Sequence, residues 1–503
     1  MPLLSLPLAH LALFARLSSL LQSLSALEAE FGAAALDAKK ILMLPAGGYS
    51  TRLPQWGPRG KIFAPVVYAG IDTGSAGETA PATMLEMKLM NYVDLLPRLP
   101  AGSVFFAWSD MLVFFDPEGL EFDKPGITVC SYPGSVPYGS NHAVLALAPG
   151  TYQPSGSFTC ECTAYLEKAS EEKMRAVGAV FDSPLGEVVI VDADLNFDAP
   201  TCRMLAAFWR DNNLAENLRE ELDSSSDMLE QLGSGAPPSP LLSSGDTTSV
   251  IAKMHVAMRA AATQINAAVL QPASVLHIGT CTEYLAGYCA GIEELGGLTR
   301  YFNKLTCDVS TEACIVHSVV DGVSSLGALA MVEYSTLKSV TVGAGSLVAF
   351  CDVVDAEIPA GTFLSTCPVT EEGAESFCCS VMSLTDDIKA KPGTATFCGV
   401  LVEEVLAALK LSNEQVWKEG EKNTLFYARL FPVAATAQAA ASTAIALRAF
   451  LLDLTAGTAS APPALGQLMS MAEIFKFKSP ARDRAIRLAL VDEISAFLKA
   501  SSK

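Results

Sequence analysis

The chain has 503 residues, of which half are hydrophobic and 17% are charged, and its formal net charge is −20. The composition excludes a largely disordered protein, and the length predicts two to four domains. The negative charge argues against a broad nucleic-acid-binding face, which must be basic, so we expect no nucleic-acid partner. A phosphate-bearing substrate must therefore be bound by a few well-placed cations rather than by the overall field.

The N-terminal segment predicts a helix that docks on the rest of the protein. Leucines recur at alternating spacings of four and three residues from Leu13 to Leu27, which places them on one helix face. The segment lacks the positively charged start of a signal peptide, although a targeting role stays open. The thirteen cysteines form no CxxC pair and lack zinc-site spacing. Their odd number and the length of the chain favour reduced thiols in a cytoplasmic enzyme over a disulfide scaffold. No apolar run reaches the roughly 18 residues of a membrane span, so we expect none.

Short apolar runs in the first part of the chain predict buried strands, with a helical pattern between the first two. The strands are expected at Ile41–Leu44, Val104–Ala107 and Val188–Val191, and the helix at Met84–Leu95. Strands that alternate with helices predict an open parallel sheet with helices on its faces. Further on, the Ser-, Gly- and Pro-rich residues 224–249 predict an exposed insertion.

After the insertion the predicted elements change. A helical pattern runs from Val250 to Ala268, and after about residue 300 apolar residues recur every six positions in two sets. A six-residue period is typical of a parallel β-helix, in which each coil buries one apolar residue per face, and an ordinary β-sandwich is the alternative. The two sets are Val320, Leu326 and Val332, and then Val342, Val348 and Val354.

The last part of the chain predicts helices. Helical patterns return from about residue 375 and are clear at Val400–Leu411 and Ala485–Leu498. The alanine-rich residues 434–447 are interrupted by Thr, Gln and Ser, which indicates a packed helix.

A glycine-rich turn followed by two cations predicts a phosphate-binding site. The turn begins at Gly47, and Arg52, Lys61 and Pro65 follow it. Backbone N–H groups of such a turn approach phosphate oxygens, an arginine fork binds them through planar donors, and a lysine adds a point charge. The segment is neither a P-loop nor a dinucleotide fingerprint, since GxxxxGK[ST] and GxGxxG are both missing. The expected nucleotide-binding residues are Gly47, Gly48, Ser50 and Thr51.

The order GGYSTRLP and then GKIFAPV resembles the signature of the sugar nucleotidyltransferases, in the form used by the GDP-fucose pyrophosphorylases. The resemblance runs from about Ile41 to about residue 480. It implies an α/β fold in which a Rossmann-like nucleotidyltransferase domain is followed by a left-handed parallel β-helix and a C-terminal helical region. The regions expected are an N-terminal helical segment at 1–37, the catalytic domain at 38–298, the β-helix at 299–372 and a mostly helical region at 373–503.

The same resemblance assigns the sugar-binding residues. The segment GSNHAV contains Asn141 and His142, which resemble sugar-contacting residues, although Ala143 stands where the family usually has glycine. In the segment Glu167-Lys168-Ala169, which resembles a Glu-Lys-Pro motif, the carboxylate is expected to bind sugar hydroxyls and the lysine the sugar phosphate. Asp192 lies in a strand segment that resembles one with further sugar contacts.

Two residues are candidates for the metal centre. Asp110 follows a predicted strand and resembles the family's metal-binding aspartate, which implies Mg²⁺, a cation that prefers oxygen ligands. His277, in the segment HIGT, stands where the wider group has a second metal-binding aspartate, and the fucose-specific members resemble this chain in having histidine. Either Asp110 and phosphate oxygens hold the metal with waters, or His277 contacts the nucleotide directly.

The resemblance implies a cytoplasmic enzyme that forms GDP-L-fucose and pyrophosphate from GTP and L-fucose 1-phosphate. Catalysis would consist of positioning and of charge neutralisation by Mg²⁺, Arg52, Lys61 and Lys168. A GDP-mannose or UDP-sugar pyrophosphorylase remains an alternative, because no residue pattern here identifies the base. A non-catalytic nucleotide-sugar sensor is the other alternative, and Ala143, Ala169 and Asp194, which depart from the family pattern, would suit it.

Overall fold

The computed structural model describes residues 23–45, 50–66, 82–184, 186–211, 257, 263–289, 300–301, 303–307, 313–322, 325–391 and 393–501. The chain divides into two units. The first consists of Met1–Pro45 and Lys88–Val275, and the second of Ala46–Met87 and Leu276–Lys503. The predicted insertion at 224–249 and the glycines Gly47 and Gly48 lie outside the described residues.

A mixed β-sheet forms the centre of the first unit. Its hydrogen-bonded order is β1-β2-β8-β4-β9-β6-β5, and β5 also pairs with β8, so the path from β8 through β4, β9, β6 and β5 returns to β8. The strands of this part of the chain are β1 (Ile41–Met43), β2 (Val104–Phe106), β3 (Met111–Phe115), β4 (Ile127–Ser135), β5 (Ala143–Leu147), β6 (Phe158–Glu167), β7 (Val180–Ser183), β8 (Gly186–Phe197), β9 (Ile265–Val269) and β10 (Ala273–His277).

The predicted parallel sheet is wrong in its strand directions. Only β1–β2 and β4–β9 are parallel among the pairs described in this sheet. Antiparallel pairs join β8 to β2, β4, β5 and β7, and join β6 to β5 and β9. Short connections such as that between β7 and β8 favour antiparallel pairing, because a parallel pair needs a crossover of a dozen or more residues.

In the first part of the chain, the observed helices agree with the sequence predictions in two places and differ from them in one. The predicted helix at Met84–Leu95 is confirmed in its main part. Leu24 of the N-terminal segment is 2% exposed within a helical stretch at 23–31, and the rest of that predicted helix, before residue 23, lies outside the described residues. The predicted helix Val250–Ala268 is wrong at its end, where β9 lies buried between β4 and β6. The helices are α1 (Ala33–Asp37), α2 (Met84–Tyr92), α3 (Val136–Gly139), α4 (Glu171–Ala176) and α5 (Ala199–Asp211), with a 3-10 helix at Leu96–Arg98.

A β-solenoid of about three turns occupies residues 304–365 of the second unit. Its parallel strands stack Cys314 on Met331, Leu347 and Phe363, so that one turn takes 17 residues and each of the next two takes 16. The strands are β11 (Arg300–Tyr301), β12 (Lys304–Leu305), β13 (Cys314–Val316), β14 (Val319–Asp321), β15 (Ser325–Leu326), β16 (Met331–Glu333), β17 (Thr336–Val342), β18 (Leu347–Ala349), β19 (Asp352–Ile358) and β20 (Thr362–Glu371).

The six-residue period correctly predicted a β-solenoid, but it placed one of the six buried positions wrongly. Five of the six apolar positions are buried, but Val354 is only partly buried, and Val353 and Ile358 are buried instead. The phase slips because a turn of 16 or 17 residues is shorter than three hexads. At one corner His317, Tyr334 and Phe350 occupy equivalent positions with φ of 50°, 45° and 59°.

The C-terminal part begins with strand rather than helix, contrary to the sequence prediction. Strand β21 (Ala374–Ser383) pairs with β20 in an antiparallel hairpin and continues the solenoid face. The predicted helix at Ala485–Leu498 is confirmed, and that at Val400–Leu411 begins with two strand residues. The remaining elements are β22 (Thr396–Phe397), β23 (Val400–Leu401), α6 (Cys281–Cys289), α7 (Val402–Leu409), α8 (Asn413–Val416), β24 (Phe431–Ala434), α9 (Ala437–Ala456), β25 (Gln467–Met469), α10 (Met471–Phe477) and α11 (Pro480–Ser501), with 3-10 helices at Lys61–Phe63 and Leu425–Tyr427.

The alanine-rich stretch forms the packed helix α9. It is the one helix in the described part of the chain that is long and apolar enough to cross a membrane. It packs against β19, β20, β21 and β24. Its Arg448 is buried and donates hydrogen bonds to the Thr362 hydroxyl and the Cys398 carbonyl, an arrangement typical of a helix packed against protein.

Candidate functional site

The predicted phosphate-binding segment belongs to the second unit and is described from Ser50 onward. Ser50 has a φ of 43°, and its carbonyl accepts a hydrogen bond of 2.8 Å from the Leu53 N–H, which closes a tight turn. Thr51 is half-buried and the Arg52 side chain is exposed. An exposed guanidinium beside a turn of this kind suits the binding of a phosphate from solution.

Hydrogen bonds join this segment to the HIGT segment at residues 277–280. Lys61 is 8% exposed, and its Nζ donates a hydrogen bond of 3.1 Å to the Gly279 carbonyl. The Arg52 carbonyl accepts one of 2.9 Å from the Cys281 N–H. The structure thus brings together Arg52, Lys61 and the segment of His277, which are far apart in the sequence.

The His277 ring lies against Gly279 and Glu283. Its Nδ1 is 3.3 Å from Glu283 Oε1, and Glu283 Oε2 accepts a hydrogen bond of 2.9 Å from the Thr280 hydroxyl. A Cβ on Gly279 would lie 2.5 Å from the His277 Cε1 and 2.6 Å from its Nε2. Only glycine at this position lets the ring lie so close to the backbone that accepts from Lys61. The ring of His277 is thus held by contacts with Gly279 and Glu283.

The sequence analysis missed Arg59, whose side chain is 4% exposed. Its Nη2 lies 2.6 Å from Asp483 Oδ1, and its guanidinium lies 3.5 Å from the centre of the Phe350 ring. Burial alone would raise the pKa of Asp483, but the charges of Arg59 and Arg487 and their hydrogen bonds outweigh it and lower this pKa. The only sequence signal for Arg59 is its position two residues before Lys61.

A second group missed by the sequence analysis is the buried carboxyl of Glu333, at the end of β16. Its Oε2 accepts a hydrogen bond of 2.8 Å from the Tyr284 hydroxyl. Burial raises the pKa of Glu333 to about 7, although Tyr284, Trp56, Arg59 and Gln55 all lower it. The group is therefore partly protonated near neutral pH.

The predicted sugar-binding residues lie at one end of the β5–β6 pair in the first unit. Ala143, the first residue of β5, pairs with Glu167, the last residue of β6. The Lys168 N–H then donates a hydrogen bond of 3.0 Å to the His142 carbonyl, and the Tyr138 ring stacks on that of His142 at 4.2 Å. The structure thus brings His142, Glu167 and Lys168 together, with Asn141 adjacent in the chain.

Both substituted alanines of these motifs are buried in the core. Ala143 and Ala169 are each 4% exposed and belong to the hydrophobic cluster of the first unit. Their methyl groups therefore contribute to packing, which gives these departures from the family pattern a structural reason.

Strand β8 connects the sugar end to the predicted metal residue. Asp192 accepts a hydrogen bond of 2.9 Å from the Tyr165 hydroxyl of β6. Two residues on, Asp194 accepts one of 2.9 Å from the Trp108 N–H, and one from the buried Tyr92 hydroxyl. Trp108 stands two residues before Asp110, so this carboxylate fixes the segment that carries Asp110.

Lys88 and Asp194 form a buried charged pair behind Asp110. The Lys88 Nζ lies 4.0 Å from Asp194 Oδ1, and their side chains are 0% and 3% exposed. Burial lowers the pKa of Lys88, while the charges of Asp194 and Asp110 raise it. Burial likewise raises the pKa of Asp194, against the effect of Lys88 and the two hydrogen-bond donors.

The donor chemistry of Asp110 fits magnesium. Asp110 is only partly buried, and its carboxylate supplies oxygen donors. Asp194 is less suited to direct ligation, because Trp108, Tyr92 and Lys88 already surround its oxygens. Oxygen donors of this kind are those that magnesium prefers.

Comparisons with known proteins agree with these motifs. A family model described as fucose pyrophosphorylase domain matches residues 33–436. Fucose-1-phosphate guanylyltransferase of Mus musculus is 26% identical over 448 residues, covering 81% of this chain and 74% of the relative. The Homo sapiens protein of the same name is 27% identical over 438 residues, covering 78% and 70%.

A shorter match reaches a plant protein. The bifunctional fucokinase/GDP-fucose pyrophosphorylase of Arabidopsis thaliana is 28% identical over 112 residues, which cover 22% of this chain and 10% of the relative. Because the family model matches most of the chain, at residues 33–436, the chain belongs to the fucose pyrophosphorylase family.

Proposed function

We propose that this protein joins GTP to L-fucose 1-phosphate and releases GDP-L-fucose and pyrophosphate. The family and the names of the mammalian relatives support this reaction. The observation that carries the proposal is the hydrogen bond between Lys61 Nζ and the Gly279 carbonyl, which holds a buried cation beside the HIGT segment. A binding module that only sensed a nucleotide sugar would not need a cation for a departing pyrophosphate.

The reaction is an in-line displacement at the α-phosphorus of GTP. A phosphate oxygen of L-fucose 1-phosphate forms the new P–O bond, while the bond to the β-phosphate oxygen breaks and its electron pair leaves with pyrophosphate. Negative charge grows on the leaving group as this bond breaks, so the cations Arg52 and Lys61 stabilise the transition state more than the ground state. The backbone of Gly47, Gly48, Ser50 and Thr51 binds the nucleotide phosphates.

Residues of the first unit bind the second substrate. Glu167 and Asp192 accept hydrogen bonds from sugar hydroxyls, and Asn141 and His142 contribute further sugar contacts. Lys168 neutralises the sugar phosphate, so that two anions can approach each other before the bond forms. The φ of 45° at Lys168 sets the direction in which its side chain leaves β6.

Asp110 would hold Mg²⁺ together with phosphate oxygens and waters, and the bound ion would neutralise phosphate oxygens as a Lewis acid. His277 contacts the nucleotide in this proposal, because imidazole is a poor magnesium ligand.

The proposal extends to the fold and the cellular location. The first unit would be a Rossmann-like nucleotidyltransferase domain and the solenoid would be left-handed, with domains near 38–298 and 299–372. The enzyme would act in the cytoplasm, in keeping with its thirteen free thiols, twelve of which are buried.

The test is pyrophosphate release by the purified protein with Mg²⁺, across GTP, UTP and ATP and across L-fucose, D-mannose and D-glucose 1-phosphates. We expect release to be fastest with GTP and L-fucose 1-phosphate. Faster release with another pair would replace these substrates by that pair, and binding of a nucleotide sugar without release under any condition would favour the sensor.

A further inference from the structure

Arg59 and Asp483 form an ion pair that is almost excluded from solvent. Nη2 and Nε of Arg59 donate to Asp483 Oδ1 at 2.6 and 2.9 Å, and the two side chains are 4% and 10% exposed. The other oxygen of Asp483 accepts a hydrogen bond of 2.9 Å from Arg487. The pair joins residues 424 positions apart in the chain.

The rest of the guanidinium contacts two further parts of the second unit. Its Nη2 also donates to the Thr366 carbonyl of β20 at 2.9 Å, and its Nη1 donates to the Gln55 carbonyl at 2.9 Å. The flat face of the group lies on the ring of Phe350, at the corner of the solenoid. Arg59 therefore ties the phosphate-binding segment to the solenoid and to the first turn of α11 at once.

The segment from Ser50 to Val66 has little regular structure of its own to fix its path. It contains one short 3-10 helix, which begins at Lys61, and Gly60, with a φ of 89°, precedes that helix. A single residue thus separates the anchored Arg59 from Lys61. Lys478 supports the same stretch through a hydrogen bond of 3.0 Å from its Nζ to the Pro58 carbonyl.

Stability alone does not explain a buried pair of this kind. Well-packed apolar residues often replace a buried ion pair at no net cost, and the apolar ring of Phe350 already lies against Arg59. What apolar residues do not provide is directionality, since the planar donors of a guanidinium must point at their acceptors and so restrict the position of the backbone that carries them.

We propose that Arg59 is a positioning residue for Lys61, and that the solenoid and α11 hold the phosphate-binding segment in place through it. This inference rests on the proposed function of Lys61 at the leaving pyrophosphate. The hydrogen-bond fork of Arg59, and not its charge alone, carries the effect. Loss of the fork lets Lys61 move relative to Gly279, which lowers kcat and leaves the KM for the sugar phosphate unchanged.

The variants are Arg59→Lys, which keeps the charge but not the fork, and Asp483→Asn, which weakens the acceptor. Arg448→Lys is the matched control, because Arg448 is also buried and also donates to β20, through Thr362. Within the described residues, the side-chain hydrogen bonds given for Arg448 go to Thr362 and Cys398, and neither belongs to the phosphate-binding segment. For each variant kcat, both KM values and the thermal unfolding midpoint are measured. Arg59→Lys and Asp483→Asn are then combined with Lys61→Ala.

We expect Arg59→Lys to lower kcat about tenfold or more, as small misplacements of catalytic groups do, while Arg448→Lys loses a similar amount of stability and keeps its kcat. In the Lys61→Ala background neither variant should lower kcat further. The inference would be overturned if folded Arg59→Lys kept the parental kcat. It would also be overturned if Arg59→Lys lowered kcat by the same factor in the Lys61→Ala background as in the parent, or if Arg448→Lys lowered kcat as much as Arg59→Lys does. If Asp483→Asn does not fold, Arg59→Lys decides alone. A parent protein that releases no pyrophosphate with any substrate pair would overturn the proposed function itself, and the inference with it.

Discussion

The backbone N–H of Trp108 donates a hydrogen bond of 2.9 Å to Oδ1 of Asp194, a residue that is 2% exposed. This bond links β8 to the segment that leads to Asp110, and Lys88 lies 4.0 Å from the same oxygen. A carboxylate in such surroundings needs its cation, because an unpaired buried charge is costly.

Lys88→Met should therefore destabilise the protein by roughly 3 kcal/mol, as removal of one partner from a buried pair does. Lys40→Met is the control, since Lys40 is exposed and its amine contacts only the Pro97 carbonyl among the described residues, and it should change stability by less than about 0.5 kcal/mol. Urea unfolding of the two variants checks this. Equal stabilities would mean that Asp194 does not depend on Lys88.

Lys61→Ala should lower turnover roughly 100-fold or more, because the lysine stabilises charge that develops only as the bond to pyrophosphate breaks. The KM for L-fucose 1-phosphate should change little. Steady-state kinetics of the folded variant test this, with the exposed Lys39→Ala as control. Unchanged turnover would remove Lys61 from the proposed mechanism.

Gly279→Ala should lower turnover roughly 10- to 100-fold. The new Cβ would lie 2.5 Å from the His277 ring, which must swing away from the backbone that accepts from Lys61. Gly287→Ala is a matched control, because its Cβ would meet only the Leu276 Cδ1 at 2.9 Å. Turnover and thermal unfolding of both variants separate a local effect from a general one. Similar activities in the two variants would show that the position of the His277 ring does not matter.

The dependence on magnesium should follow Asp110. Asp110→Asn should sharply lower the magnesium-dependent activity. The loss of transition-state stabilisation should be a few kcal/mol, on the order of other charge-removing changes in active sites. His277→Asp should be milder and should bind the metal more tightly, since it adds an oxygen ligand. Magnesium titrations of Asp110→Asn, His277→Ala and His277→Asp check this. A parental magnesium response in Asp110→Asn, together with its loss in His277→Ala, would reverse the two roles.

The stability of the protein should respond to pH through Glu333. Its pKa is raised to about 7 in the folded state, so between roughly pH 4.5, the unfolded value, and pH 7 the folded state binds the extra proton. Its contribution to the free energy of unfolding therefore falls as pH rises through this window, by roughly 3 kcal/mol in total. Urea unfolding of Glu333→Gln and of the parent is measured at several pH values. The free energy of unfolding of the variant should rise relative to that of the parent as pH rises. A constant difference between the two would contradict the shifted pKa.

The sequence predicted those parts of the fold that local patterns determine. The solenoid follows from apolar residues such as Val332 and Val348, and the helix at Ala485–Leu498 from its period. The predicted helix Val250–Ala268 ends inside the strand Ile265–Val269, because a short apolar run does not distinguish a buried strand from a helix. Strand direction was likewise wrong, since it depends on which strands become neighbours in the sheet.

The same limit applies to the candidate site. Arg52 and Lys61 stand in a short motif, and the resemblance of that motif to a known signature made them recognisable. Arg59 and Asp483, or Lys88 and Asp194, are joined only in the folded chain, across 424 residues in the first case. No local pattern marks such pairs, so they became visible only from their burial and their contacts.

The most direct test of the central claim is identification of the product by mass spectrometry after incubation of the protein with GTP, L-fucose 1-phosphate and Mg²⁺. The account predicts GDP-L-fucose and pyrophosphate in equal amounts, and far less of both from Lys61→Ala. No nucleotide sugar from the folded parent protein, under conditions in which it binds GTP, would contradict it.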